Sequence, residues 1–155
     1  MVRTYIPEYH DLWFRQKLLA DPETMEYNSA YGGVISFPEE KWSGWYNRWI
    51  VNTEGKRFYR YLKNEDDNEL IGEIAYHYDD TQAIYLANII VLAKYRGKGF
   101  GGQGLLLLCE AAKNNGIKAL YDDIANDNPS VKLFLKCGFH AVYRTHEFIM
   151  VKRDL

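Results

Sequence analysis

A glycine-rich segment that runs directly into a row of leucines is the feature that most limits how this chain can fold. The segment from Tyr95 to Gly104 reads YRGKGFGGQG, and leucines occupy 105–108. Glycine loses more backbone freedom on folding than any other residue, so a simple connection would not need so many. The leucines predict a helix that ends near Gly116. Because the first N–H groups of a helix are unpaired and partially positive, we predict an anion-binding loop at this helix start.

Two common phosphate-binding motifs do not fit this loop. A nucleotide-binding P-loop requires Gly-Lys followed by Ser or Thr, and no such pair follows these glycines. A dinucleotide-binding fingerprint has the pattern G-x-G-x-x-G early in a βαβ unit, whereas 97–102 reads GKGFGG after strands that resemble a meander. The loop is therefore neither a P-loop nor a dinucleotide-binding loop.

Length, composition and charge describe an ordinary folded chain. The 155 residues suit a single domain spanning 1–155, with 47% hydrophobic and 26% charged residues. A formal net charge of −2 without a Lys/Arg cluster argues against a nucleic-acid partner. No apolar run would cross a bilayer and no signal-peptide core is present, so we expect no membrane partner and a cytoplasmic location. Cys109 and Cys137 are expected to be reduced, buried thiols, and no metal site is expected.

The order of the predicted elements indicates an α+β fold. Helices are predicted over DLWFRQKLLA, from an N-cap at Asp11, and over FPEEKWSGWYNRWIVN, where Trp42, Trp45 and Trp49 share one face. Three strands follow as an antiparallel meander, KRFYRYLKN, ELIGEIAYHYDD and AIYLANIIVL. After the glycine loop and its helix come the strand IKALYDDIA, a short helix in NPSVKLFLKCGF and one or two closing strands.

Two segments resemble the cofactor motifs of the GNAT N-acetyltransferases. Residues 96–101, RGKGFG, fit the family motif R/Q-x-x-G-x-G/A between an apolar strand and a leucine-rich helix. Downstream, NDNPSVKLFLKCGF resembles the second cofactor segment, in which N-x-x-S/A precedes a helix and Gly-Phe. The resemblance covers about Leu70 to the C-terminus. It implies a GNAT fold: a mixed, mostly antiparallel central sheet with a splayed strand pair, flanked by helices in three layers (α/β/α).

The resemblance further implies acetyl-CoA, or another acyl-CoA, as the cofactor. Its pyrophosphate would lie on backbone N–H groups of residues 96–102. Its pantetheine arm would pair with the strand before the loop, where a backbone N–H would polarise the thioester carbonyl. Helix capping is the alternative role for the polar residues before the late helix. The cofactor-binding residues expected on this basis are Ile90, Val91, Leu92, Arg96, Gly97, Lys98, Gly99, Phe100, Gly101, Gly102, Asn126, Asn128, Ser130 and Phe134.

The group that would protonate the leaving thiolate is not obvious. The family often uses a tyrosine in the late helix, but the corresponding residue here is Phe134, which has no proton to give. Tyr143, which we take as the catalytic candidate, and Tyr121 are the phenols that could replace it. Otherwise the thiolate leaves with help from backbone dipoles and water alone.

The general base is also open. Glu73 and His77 stand at i and i+4 of one predicted strand and therefore share a sheet face. A histidine has an intrinsic pKa suited to the role. The alternative for each is a structural position, partly exposed for His77 and solvated for Glu73. Asp122 and Asp123 are further candidates, and because they are adjacent on a strand they face opposite ways.

The amine acceptor is expected to bind between the first two helices, their connecting loop and the central strands. Aromatic residues are abundant there, and the loop YNSAYGG is less typical of a core than the tryptophan face. The acceptor-binding residues expected are Tyr27, Asn28, Tyr31 and Tyr76.

The sequence therefore favours an acetyl-CoA-dependent N-acetyltransferase. It would move an acetyl group to a primary amine of a small metabolite, an amino acid or a peptide N-terminus by direct attack on the thioester. The alternative is a non-catalytic acyl-CoA sensor or docking module of the same fold, which Phe134 favours. A third reading, an interaction protein without cofactor, leaves the glycine loop unexplained. The family often dimerises, so a homodimer is one assembly to expect.

Overall fold

The computed structural model describes the backbone of residues 1–155 and every side chain except those of 29–31. Its centre is a seven-stranded sheet with the strand order β1-β2-β3-β4-β5-β7-β6. The strands are β1 Val2–Tyr5, β2 Arg57–Asn64, β3 Leu70–Asp79, β4 Ile84–Val91, β5 Ala119–Ala125, β6 His140–Arg144 and β7 Phe148–Asp154. The α-helices are α1 Leu12–Ala20, α2 Trp42–Tyr46, α3 Phe100–Asn114 and α4 Ser130–Lys136.

One pair of neighbouring strands differs from all the others in the sheet. β4 and β5 run parallel, whereas the remaining neighbours run antiparallel. The two strands are aligned at Leu86 and Tyr121 alone and then separate. Residues 87–91 of β4 therefore have a strand on the β3 side only, and their other edge faces a gap. The predicted mixed sheet with a splayed strand pair is confirmed.

Helices cover both faces of this sheet. α1 and α2 cover one face, where Leu18 packs in a cluster with Tyr59 of β2. α3 and α4 cover the other, where Leu105 packs in a cluster with Leu62 of β2. Side chains of β2 alternate between the two layers, as expected of a strand that is buried on both sides. The predicted three-layer α/β/α arrangement is confirmed.

Strand β1 is an element that the sequence does not predict. It has four residues, and each is aligned with a residue of β2. The N–H of Val2 also donates to Gln103 Oε1 of α3 at 2.8 Å. Four residues carry too short a pattern to indicate a strand, and the long-range pairing with β2 is what fixes this one.

The predicted second helix is present, but the chain changes its helix type on both sides of it. A 3-10 turn, Glu39–Lys41, precedes α2 and a π-helical turn, Asn47–Val51, follows it. Trp42 and Trp45 are buried, as predicted for a core face. Trp49, inside the π-helical turn, is half-buried and stacks on Trp45 with ring centroids 6.1 Å apart.

Cys109 and Cys137 are both buried and free, as predicted. Among the helices of the described chain, none combines the length and the apolar character that a membrane crossing requires. The single domain over 1–155 and the homodimer stay predictions.

Candidate active site

A cavity of about 1020 Å³ opens where β4 and β5 separate. Its volume is near the upper end for small-molecule sites, which hold about 300–1,000 Å³. We call one part the cofactor half, and it is lined by the glycine loop, by β4 and by the start of α4. We call the other part the acceptor half, and it is lined by Arg15, Trp45, Trp49, Tyr59 and Glu73.

A row of backbone N–H groups at residues 97–102 borders the cofactor half, and all of these residues except Lys98 line the cavity. None of them donates to an acceptor among the described residues. Gly97 and Gly99 have φ of 77° and 84°, and Gly99 is the N-cap of α3. Glycine adopts this left-handed conformation without strain, and it lets successive N–H groups converge on one anion. The N–H of Arg96 already donates to the Ala93 carbonyl at 3.1 Å, so the row begins one residue later than predicted.

The side chain of Arg96 links the glycine loop to residues 23–26. Its guanidinium donates to the backbone carbonyls of Glu23 and Thr24, and it lies 3.7 Å from Glu26 Oε1. Arg96 therefore connects the segment after α1 to the glycine loop, and its positive charge lies against groups of that segment. Lys98 is exposed, lies near the ring of Tyr95 and does not line the cavity.

Of the three polar residues predicted to bind the cofactor near the start of α4, two line the cavity and one does not. Asn128 and Ser130 both line the cavity, and the N–H of Ser130 donates to Asn128 Oδ1 at 2.9 Å. Asn128 thus forms the local turn into α4 that the capping alternative describes. Asn126 does not line the cavity, because its side-chain amide donates to the Thr145 carbonyl between β6 and β7 at 3.1 Å.

The remaining wall of the cofactor half is apolar. Ile90 and Val91 line it from β4, whereas Leu92 is buried in the layer of α1 and α2 and lies outside it. Phe134 borders the cavity but is only 1% exposed, and its ring packs edge-on against Phe139 with centroids 4.9 Å apart. Its position offers no hydrogen-bond donor to a leaving group.

Glu73 of β3 is a buried acid in the acceptor half. It is 3% exposed, so the alternative of a solvated strand position is wrong. The hydroxyl of Tyr59 donates to Oε1 at 2.7 Å, and Asn88 Nδ2 donates to Oε2 at 2.9 Å. Arg15 Nη1 lies 4.0 Å from Oε1. Burial, followed by the negative charge of Glu73, raises the pKa of Tyr59 well above its ordinary value, so the phenol keeps donating to the carboxylate.

His77 lies on the same face of β3 as Glu73, closer to solvent. Both residues line the cavity, which confirms that they share a sheet face. The imidazole lies edge-on to Trp49 with centroids 6.1 Å apart. Neighbouring atoms of the wall desolvate the imidazolium and lower the pKa of His77, so the ring is neutral near neutral pH.

Asp122 reaches the cavity from β5, on the far side of the gap. Strand alternation puts it on the face of Leu120 and Ile124, which pack with α3, while Asp123 faces the other way and also lines the cavity. Burial, followed by the charge of Asp123, raises the pKa of Asp122 well above its ordinary value. Burial also raises the pKa of Asp123. Asp122 therefore keeps its proton to a higher pH than an ordinary aspartate.

Two residues that the sequence assigns to the site lie elsewhere. Tyr76 alternates to the α3 face of β3, where its ring stacks on Phe58 and its hydroxyl accepts from Asn115 Nδ2 at 2.9 Å. Tyr143 is on the edge strand β6, is 46% exposed and packs on Phe148 outside the cavity. Tyr76 lies outside the site because neighbouring residues of a strand face opposite sides of the sheet. Tyr143 lies outside it because β6 is at the edge of the sheet, away from the gap between β4 and β5.

The loop after α1 supplies two of the predicted acceptor residues. Tyr27 and Asn28 line the cavity, and the side-chain amide of Asn28 donates to the Gly33 carbonyl at 2.8 Å. Tyr31 is among the residues whose side chains lie outside the described part of the chain.

Asn88 and Arg15 are two of the cavity residues that the sequence does not predict. Asn88 is a lone polar residue in the apolar strand AIYLANIIVL, and that isolation is a usable signal. Arg15 gives no signal, because a charged residue on an amphipathic helix is typical of a solvent-facing position. Its burial depends on which helix face the sheet covers.

A splayed strand pair with a glycine-rich loop and a helix start at its gap is characteristic of the GNAT fold. The sequence itself matches the Acetyltransferase (GNAT) family over residues 13–139. The chain therefore belongs to this family, which consists of acyltransferases that use acetyl-CoA. The family predicted from the two motifs is confirmed.

A curated protein that is similar to part of this chain is also named as an N-acetyltransferase. The Bacillus subtilis (strain 168) protein "Uncharacterized N-acetyltransferase YobR" is 39% identical over 62 residues, which are 39% of this chain and 25% of that protein. The chain thus matches about a quarter of the length of this curated relative.

Solved structures with low sequence identity share the fold. The GNAT-family acetyltransferase of Streptococcus pneumoniae has a TM-score of 0.79 at 16% identity, with 100% of both chains covered. Spermidine N-acetyltransferase from Vibrio cholerae, in complex with CoA and spermine, has a TM-score of 0.77 at 18% identity, covering 99% of this chain and 95% of that one.

Proposed function

We propose that the protein is an acetyl-CoA-dependent N-acetyltransferase that acts on a primary amine. The observation that carries the proposal is the meeting of two features in one cavity: the free N–H row of 97–102 and the buried carboxylate of Glu73. One side suits a diphosphate and the other suits an ammonium group. Small metabolites, amino acids and peptide N-termini fall within this proposal, as do a cytoplasmic location and the absence of a nucleic-acid partner.

The residues of the cofactor half fit acetyl-CoA. The glycines give a cradle of backbone donors, and the gap beside residues 87–91 of β4 leaves room for an extended arm. Gly97 to Gly102 would hold the pyrophosphate, and Ile90, Val91 and Ser130 would border the arm. When bound, acetyl-CoA supplies an acetyl group activated as a thioester.

Glu73 is our candidate for the general base. Its two oxygens accept from Tyr59 and Asn88, which hold the carboxylate in one orientation. A carboxylate so placed attracts the ammonium form of an acceptor and can take a first proton from it, because only the neutral amine has the lone pair that attacks a carbonyl. His77, neutral and nearer to solvent, can pass that proton on to water.

Asp122 is our candidate for the proton donor that Phe134 cannot be. It lines the cavity from β5 on the same sheet face as the layer that contains Phe134. Its raised pKa means that the carboxyl group still carries a proton where an ordinary aspartate has lost it. Transfer of this proton to the leaving thiolate gives the free thiol of CoA. Glu73, after passing the first proton to water through His77, takes the second proton that the nitrogen loses on attack. Exchange with water then restores Asp122 and Glu73, and one net proton is released for each ammonium group acetylated.

The second candidate function is a sensor that binds acyl-CoA without turnover. Phe134 favours it, because the family's usual phenol is missing from its position. A protein of this kind would keep the glycine cradle and would have no need to hold Glu73 buried and oriented.

The test is a turnover assay with acetyl-CoA and a panel of amines, reading the release of free thiol. Wild type is compared with Phe134→Tyr, and acetyl-CoA binding is measured by calorimetry in parallel. Amine-dependent thiol release by wild type supports the transferase. Binding of acetyl-CoA without release on any amine favours the sensor, and failure to bind acetyl-CoA overturns both.

A further inference from the structure

Arg15 is a charged side chain in the acceptor half that the proposed chemistry does not use. It projects from α1 into the cavity wall and is 17% exposed. Its guanidinium lies over three aromatic rings, at 4.6 Å from the centroid of Trp45, 4.7 Å from Phe37 and 5.7 Å from Tyr59. Stacking of this kind fixes a guanidinium in one plane, which prepares it for a planar partner.

Two side-chain nitrogens of Arg15 have no hydrogen-bond acceptor within the described part of the chain. Nε and Nη1 are buried and have no acceptor there. The carboxylate of Glu73 lies 4.0 Å from Nη1, which is too far for a hydrogen bond. The oxygens of Glu73 already accept from Tyr59 and Asn88. Buried donors without a partner are rare in folded proteins and call for an explanation, and a bound group is one.

The two charges stand side by side in the acceptor half. A fixed cation at Arg15 repels a ligand that carries only positive charge, whereas a fixed anion at Glu73 repels one that carries only negative charge. A ligand with both signs close together satisfies both residues. An α-amino acid has its nitrogen and its carboxylate on the same carbon, and a carboxylate is the planar group that a guanidinium binds best.

We propose that Arg15 binds a carboxylate of the amine acceptor, so that the acceptor is an α-amino acid or another amine with a carboxylate close to its nitrogen. This inference rests on the proposed transferase function. It places the reacting nitrogen at Glu73 and the carboxylate at Arg15, and it excludes polyamines as good acceptors.

The experiment compares amines in matched pairs that differ only in the carboxylate, for example phenylalanine with phenethylamine and leucine with isopentylamine. Thiol release from acetyl-CoA gives kcat/KM for each. For wild type we expect the carboxylate member of the best pair to be favoured at least ~10-fold, because a site built for a polar group rejects a ligand without it. In Arg15→Gln the preference should fall below about twofold, mainly through KM, as expected when binding to a substrate group is lost.

Two further variants separate charge from structure. Arg15→Lys keeps the charge but loses the planar fork, and it should keep part of the preference. Lys17→Gln removes an exposed charge from the same helix and should leave the preference as in wild type. If Arg15→Gln does not fold, the wild-type pairs and Arg15→Lys decide.

Equal or faster reaction of the amines without a carboxylate overturns the inference. If neither member of any pair reacts, calorimetry of the same pairs with CoA-saturated protein decides: tighter binding of the carboxylate member supports the inference, and equal or absent binding overturns it. Acetyl-CoA binding and thiol release with any amine judge the transferase separately, so an enzyme that acetylates amines without preferring carboxylates loses this inference alone.

Discussion

The two halves of the cavity are built from different parts of the chain and by different means. The cofactor half presents backbone N–H groups of the short stretch 97–102, and its shape depends on glycine. The acceptor half presents side chains from α1, β2, β3 and β4, namely Arg15, Tyr59, Glu73 and Asn88. A backbone site should therefore fail when its conformation is blocked, whereas a side-chain site should fail group by group. The following substitutions test that difference.

Gly99→Val should give the largest effect. Gly99 has φ +84°, a conformation that a β-branched residue adopts only with strain, and the backbone donors around it would move apart. We expect acetyl-CoA affinity to fall by about 100-fold or more, which corresponds to losing roughly 3 kcal/mol. Gly116→Val is the matched control, because Gly116 has φ +83° at the other end of α3, far from the cavity. Equal loss of acetyl-CoA affinity in both variants would contradict a local cradle.

Glu73→Gln should reduce catalysis while leaving the cofactor half intact. The amide keeps the shape and one acceptor but cannot take a proton, so we expect kcat/KM for the amine to fall about 100-fold or more. Calorimetry should show acetyl-CoA affinity within about twofold of wild type, because residues 97–102 are untouched. Glu110→Gln, on the exposed side of α3, is the control. Unchanged turnover in Glu73→Gln would leave Glu73 with a structural role only.

Asp122→Asn should separate activity from stability. If Asp122 donates the proton, kcat should fall about 10- to 100-fold, and the decline of wild-type kcat as pH rises through the raised pKa of Asp122 should disappear.

Asp122→Asn should lower kcat but should raise the stability of the folded protein at neutral pH. A carboxyl group whose folded pKa is raised is most favourable below its ordinary pKa of about 3.9, and its contribution is lost as pH rises through the folded pKa. The variant should therefore melt above wild type at neutral pH, and the difference should shrink toward low pH. Asp127→Asn, exposed just after β5, is the control. A variant with lower Tm at neutral pH would contradict the raised pKa.

Tyr143→Phe should give the smallest effect. The residue is exposed on β6 and does not line the cavity, so kcat should change by less than about twofold, as for a surface substitution away from special features. Steady-state thiol release at several pH values measures it. A large loss of kcat would restore Tyr143 as a proton donor and would require β6 to approach the gap.

The two halves also differ in how much of each the sequence predicts. The cofactor half was predictable because it is local: φ near +80° at Gly97 and Gly99 demands glycine, and a helix must follow directly. Even so, sequence misplaces Asn126, whose amide bonds to Thr145 of a distant turn. In the acceptor half, Glu73 and His77 were found through the period of a strand. The prediction for Tyr76 is wrong for the same reason. Its neighbours Ala75 and His77 face the cavity, so Tyr76 faces the opposite side of the sheet.

The sequence by itself determined the family, the order of nearly all helices and strands, and the glycine-rich loop before α3, because each depends on residues that are neighbours along the chain. Only the tertiary structure decided that Arg15 is half-buried against three rings, that Asn88 and Tyr59 hold Glu73, and that Asp122 lines the cavity. These positions depend on which helix covers which face of the sheet and on where β4 leaves β5. The packing of segments that are far apart in the chain sets both.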